Sequence, residues 1–120
     1  AHLLRATQEG IAFAFRYGFD IMRSMGMQPS LIRAGAANMF QSPVFTEAFV
    51  NITNTPVELY HTDGATGAAL GAGIGARLFT ENDLGKGLEK KAVIEPAPNN
   101  MYEAAYAKWL HCLQQLLPAV

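Results

Sequence analysis

The order of two strand-like runs, each followed by small residues and then by a helix, restricts this chain more than any other feature. Ser30 to Ala34 (S-L-I-R-A) reads as a first short strand, and the small, flexible stretch Gly35-Ala36-Ala37-Asn38-Met39-Phe40-Gln41 follows it. Ser42 is a good N-cap and Pro43 suits the first helical position, after which Phe45, Ala48, Phe49 and Ile52 share one apolar face. Pro56 to Tyr60 (P-V-E-L-Y) reads as a second strand, with Thr62 or Asp63 placed to cap a helix from Gly64 towards Phe79. Successive strand-loop-helix units predict an α/β fold with parallel strands and crossover helices, because parallel neighbours cannot be joined by a tight hairpin.

Helices are expected to flank this centre. From Leu3 to Met25 the apolar positions Leu4, Ile11, Phe15, Phe19, Met22 and Met25 recur at helical spacing, Gly26 can stop the helix, and Pro29 prevents its resumption. Gly10, Ala14 and Gly18 form a smooth stripe on it that another element could approach closely. The Arg5/Glu9 and Arg16/Asp20 pairs have i,i+4 spacing and read as a solvated face. In the second-strand helix, Gly67, Gly71, Gly73 and Gly75 together cost roughly 4 kcal/mol relative to alanine, so close packing must offset them. Thr80 to Lys91 is polar, charged and glycine-punctuated and reads as a surface connection or a short solvated helix, without visible chemistry. Ala92-Val93-Ile94 is a brief extended piece, and Asn99 or Asn100 is expected to cap a last helix carrying Tyr102, Tyr106, Trp109, Leu113, Leu116 and Leu117.

Composition excludes several classes of function. Half of the 120 residues are hydrophobic, enough for a packed core, and the formal net charge of -1 leaves no basic stripe for nucleic acid or an anionic membrane. A single cysteine, Cys112, forms no internal disulfide and suits a reducing compartment, so a cytoplasmic protein is expected, with Cys112 buried or half-buried between Leu110 and Leu113. No run reaches the roughly 18 apolar residues of a membrane-spanning helix. The chain enters its first helical pattern at once, on Ala1-His2-Leu3-Leu4-Arg5, which reads as a cut inside a larger protein.

The candidate ligand site is the loop at Gly35, Ala36, Ala37 and Asn38. Between a parallel strand and its helix, backbone N–H groups are free to donate, and small residues let an anionic group approach them. The lysine of a Walker A motif is absent, and Gly71-Ala72-Gly73-Ile74-Gly75 falls inside a helix pattern, where a dinucleotide fingerprint does not belong. His2, His61 and His111 are dispersed, and His61 with Asp63 suits a loop and cap better than a metal site. Glu47, Glu58 and Asp63 lack the paired partner or nucleophile that acid/base catalysis needs, so capping or solvation explains them.

Four stretches carry a resemblance to the C-terminal end of carbohydrate kinases of the FGGY family. His2-Leu3-Leu4-Arg5-Ala6-Thr7 with Glu9 is similar to the latter half of the family's C-terminal signature, with Gln8 where a hydrophobic residue is usual, and E-G-I-A-F-A-F continues it. R-A-G-A-A-N-M-F-Q-S-P-V-F resembles the family's R-x-G-G-G-A-(K/R)-S-P-x-W, with Ala36 and Ala37 in place of glycines, a longer connection to Ser42 and Phe45 in place of Trp. G-A-T-G-A-A-L-G-A-G resembles its small-residue helix, and W-L-H-C-L-Q-Q-L-L-P its chain end.

That resemblance implies the C-terminal portion of a ribonuclease-H-like, actin/hexokinase-type ATPase domain, spanning residues 1–120 as an incomplete domain. It implies ATP and Mg2+ as cofactors and a sugar as substrate, with Gly35, Ala36, Ala37 and Asn38 near the nucleotide phosphates and the adjoining ribose or adenine. A methyl at Ala36 is compatible with that role only while its φ stays negative. The catalytic carboxylate, metal ligands and sugar-binding residues are implied to lie upstream of Ala1, so the chain alone is expected to be inactive and to self-associate through exposed apolar surface. The rival reading is a non-catalytic binding or assembly module, with the Gly10/Ala14/Gly18 stripe as its partner surface.

Overall fold

A computed structural model describes residues 1–98 and 101–118. Its elements run α1 (His2–Ser24), β1 (Ile32–Gly35), a 3-10 turn (Asn38–Gln41), α2 (Pro43–Thr53), β2 (Val57–Tyr60), α3 (Gly64–Gly75), a second 3-10 turn (Glu81–Asp83), β3 (Lys90–Ile94) and α4 (Glu103–Leu116). β1 and β2 pair in parallel, Ile32 opposite Val57 through Gly35 opposite Tyr60. This is the crossover arrangement expected from the sequence. β3 joins the other side of β2 antiparallel, with an irregularity at Leu59/Tyr60, so the three-stranded sheet is mixed. The strand recruits Lys90 and Lys91 from what read as a polar connection, because an exposed edge position tolerates lysine.

Local chemistry sets the boundaries. Ser42 Oγ accepts from the Phe45 amide at 3.3 Å and Pro43 opens α2, as expected. At the end of α1, Gly26 takes φ 89°, and the amides of Gly26 and Met27 donate to the Arg23 and Met22 carbonyls, a Schellman closure. α3 stops at Gly75, four residues before the expected Phe79. There Arg77 adopts φ 60° while its amide and that of Leu78 bond the Ile74 and Gly73 carbonyls, so the same closure forms without a glycine. The expected Asn99 or Asn100 cap of α4 lies outside the described residues; Tyr102 stands at the N-cap position.

The core is centred on α2. Phe45, Ala48, Phe49, Val50 and Ile52 pack with Ala12 and Phe13 of α1, with Val57 and Leu59 of β2, and with Tyr102 and Tyr106. Val57 and Leu59 lie two apart and so share the inner face of the sheet, which leaves Glu58 and Tyr60 on the other. Fully burying a side chain of this size contributes about 1.5–3 kcal/mol, which makes α2 the anchor of the fold.

α1 is turned differently from its apolar periodicity. Ala12 and Phe13 are buried, whereas Leu4 is 71% and Met25 66% exposed. The cause is that α1 packs against both α2 and α4. Phe15 meets Phe49 edge-on at 5.3 Å, while Phe13 meets Tyr106 at 5.7 Å and Trp109 at 6.1 Å. Arg16, expected on a solvated face, belongs to this joint: its guanidinium lies 4.2 Å from the Tyr106 ring centre and is bidentate to Glu103. The small-residue stripe remains open, with nothing within 4 Å of a Cβ built at Gly10 or Gly18. Cys112 is exposed, against expectation, because α4 rests on α1 through Tyr106 and Trp109 and its last turns project past that contact. Among the described residues no helix is long and apolar enough to cross a membrane.

Candidate functional site

β1 and β2 end side by side at Gly35 and Tyr60, and the chain leaves both strands in the same direction. The Tyr60 carbonyl accepts from the Ala36 amide and from the Thr62 amide, each at 2.8 Å, so one oxygen pins both loops. Gly35 has to be glycine here: a Cβ would sit 2.5 Å from the Thr62 carbonyl oxygen and 3.4 Å from the Asp63 Cα. Its missing side chain lets the two loops touch, a different reason from the ligand approach inferred from sequence. The His61 amide donates to the Glu89 carbonyl at 2.9 Å and fastens the second loop to the start of β3.

A cavity of about 540 Å³ opens where these loops meet, a size that suits a small-molecule ligand. Gly35, Ala37 and Asn38 line it from the first loop, and Thr62, Asp63 and Gly64 from the second. Asn38 takes φ 52°, a left-handed conformation that asparagine tolerates better than most residues. Ala36 keeps a negative φ, but it lines a separate hollow, packs against the core and spends its amide on Tyr60. The walls are largely apolar, with Phe15 from α1, Met39 and Phe40 from the β1–α2 connection, Phe45 from α2, and Leu70 from α3. Leu84, Gly85 and Leu88 close another side. They come from the connection that read as having no chemistry, and the alternation of Leu with Gly inside it was the available signal.

Charge is arranged at the rim. Glu58 accepts from Lys90 Nζ at 2.6 Å, from the Tyr60 hydroxyl at 2.6 Å and from Arg33 Nε at 3.2 Å. These bonds, that to Lys90 foremost, hold its carboxyl down at about 2. Glu58 is thus a tie across all three strands, and its neighbour Arg33 lines the cavity. Asp63 caps α3, its Oδ1 accepting from the Thr66 amide at 2.9 Å and the Thr66 hydroxyl at 3.0 Å. The Thr66 amide bond lowers its carboxyl below the ordinary range. Glu47 accepts from the Tyr102 hydroxyl at 3.1 Å and is not among the residues that line the cavity. No group of three or more His, Cys, Asp or Glu side chains gathers among the described residues as a metal site would require.

No protein-family model matches the chain, and no curated protein sequence does. Solved structures do. The xylulose kinase from Rhodospirillum rubrum superposes with a TM-score of 0.75 at 25% identity, covering 96% of this chain and 24% of that one. The Plasmodium falciparum glycerol kinase solved with ADP superposes with a TM-score of 0.69 at 24% identity, covering 99% of this chain and 25% of that one. The chain therefore spans about a quarter of the length of either neighbour. It resembles the FGGY carbohydrate kinases, the family of both neighbours, and carries their actin/hexokinase-like ATPase fold.

Proposed function

We propose that this chain is part of a sugar kinase that transfers the γ-phosphate of ATP to a sugar hydroxyl, and that it supplies part of the nucleotide-binding wall. The cavity at the carboxyl ends of parallel β1 and β2 carries the reading, since α/β folds bind ligands at that end of the sheet. Its apolar walls suit the flat face of a purine, with Gly35, Ala37 and Asn38 against the nucleotide and the Arg33 side of the rim open to its phosphates. Ala36, the remaining residue of the loop, supports the site from behind through its bond to Tyr60. D-Xylulose, giving D-xylulose 5-phosphate, is the substrate we favour, on the likeness to the xylulose kinase and on the sequence motifs.

Mg2+ neutralises phosphate charge in such a transfer. In this reading its ligands, the catalytic carboxylate and the sugar contacts belong to other parts of the kinase, as the likeness to the family implies. Positioning by both walls of a cleft is what accelerates phosphoryl transfer, and the chain alone is therefore expected to be inactive. Exposed apolar side chains such as Leu3, Leu78, Met101 and Leu116 support self-association of the isolated chain, and a cytoplasmic location is part of the same reading.

Titration calorimetry of ADP against the chain tests the first part, with weak binding or none expected. Tight binding, or turnover with a ketopentose, overturns the inactive reading. Assaying a longer protein containing this sequence against ketoses, aldoses and polyols decides the substrate: activity confined to glycerol rejects xylulose.

A further inference from the structure

The cavity has a polar corner where the chain turns from β2 into α3, apart from Arg33 and Asn38. Thr62 and Asp63 both line it. The Thr62 Oγ1 is buried without a hydrogen-bond partner, a condition that native interiors seldom leave uncompensated. Asp63 is exposed, and its two bonds from Thr66 both go to Oδ1. An ionised carboxylate offers about four acceptor sites across two oxygens, so Asp63 retains acceptor capacity at the cavity it lines. It also places a negative charge at the N-terminus of α3, where a phosphate would otherwise be favoured. The corner therefore suits a neutral hydrogen-bond donor and disfavours an anion.

We propose that Asp63, with Thr62 beside it, is a specificity-determining residue that accepts hydrogen bonds from the vicinal hydroxyls of a nucleoside's ribose and keeps phosphate away from this end of the cavity. This rests on the nucleotide reading of the same cavity. Hydroxyl donors to a carboxylate make charge-assisted bonds, roughly twice as strong as neutral ones. The Thr66 amide keeps Asp63 ionised through the neutral range, so it acts there only as an acceptor.

The test is an amide-resolved NMR titration of the whole chain with adenosine and with 2′,3′-dideoxyadenosine. It is run on the native sequence and on Asp63→Asn and Asp63→Ser, both of which retain a good N-cap. Adenosine is expected to move the Gly35, Asn38 and Gly64 signals, and the dideoxy compound to bind on the order of tenfold more weakly. Each substitution should weaken adenosine by a similar factor and erase the difference between the two nucleosides. If the native chain binds both nucleosides equally while those signals move, the Asp63 assignment is wrong and the cavity reading survives. Equal weakening of both nucleosides by the substitutions also overturns it, since that is the signature of a purely structural cap. Adenosine that moves none of these signals overturns the Asp63 assignment and leaves the nucleotide-wall reading to the assay of the longer protein.

Discussion

α2 and α3 each follow a parallel strand and begin with a side-chain cap, yet they serve the fold in opposite ways. α2 buries seven of its eleven residues, among them Phe45 and Phe49, two rings of a cluster completed by Phe40 from the preceding turn, with ring centres 5.2 to 5.6 Å apart. α3 buries only Gly73 of its twelve. A helix apolar on every side normally lies inside a protein. In α3 the apolar side chains are nearly all methyls or absent, so there is little area to bury, and one wall of the cavity stays accessible at Gly64, Gly67 and Leu70. Topology thus places a site, while side-chain volume decides which of its walls is scaffold and which is surface.

The sharpest way to break that contrast is to remove the anchor. Phe45, 1% exposed, touches both Phe40 and Phe49, and Phe45→Ala is expected to destabilise the chain by about 3–5 kcal/mol in urea denaturation. A loss near that expected of the partly exposed Leu70→Ala would show that α2 is not the anchor.

Gly35→Ala tests the joint between the two strand-loop-helix units. Its Cβ would meet the Thr62 backbone, which cannot swing aside as a side chain can, so a loss of about 1–3 kcal/mol is expected, with amide shifts at Thr62 and Asp63. Gly71→Ala runs the other way. Nothing lies within 4 Å of its added Cβ, so better helix propensity is expected to raise stability by about 0.5–1 kcal/mol, read from the thermal midpoint. Gly73→Ala should lack that gain because its Cβ would strike the Phe79 ring, and a gain equal to that at Gly71 would place the ring elsewhere.

The smallest effect is the pH response of the Glu58 tie. Its carboxyl is lowered from 4.5 to about 2 in the folded chain, foremost by Lys90, so its contribution is present above 4.5 and is lost as the pH falls towards 2. Glu58→Gln is expected to flatten stability across that window, and an unchanged pH profile would show the exposed ion pairs to be without weight.

Much of this was legible because it is local. Ser42, Pro43 and Asp63 mark helix starts through bonds spanning three residues, and Gly26 marks a stop through its own φ. The parallel β1–β2 pair followed from the alternation of strands with helices. Arg77 was not legible as a helix end because a non-glycine residue in the left-handed region depends on the turn around it. Arg16 was read as solvated and Phe13 was not among the apolar positions, because periodicity finds an apolar stripe but not which neighbour will press on which side of a helix.

The candidate site divides in the same way. The sequence by itself determined the small-residue loop at Gly35 to Asn38, its place after a strand and before a helix, and the likeness to sugar kinases. Only the tertiary structure brought Asp63, Thr62, Phe15 and the Leu84–Leu88 segment to that loop, and only it explained Gly35 by the carbonyl of Thr62. The physical reason is range: capping and turn preferences act within a few residues, whereas a cavity is the space left between segments brought together by burial elsewhere, here beneath α2.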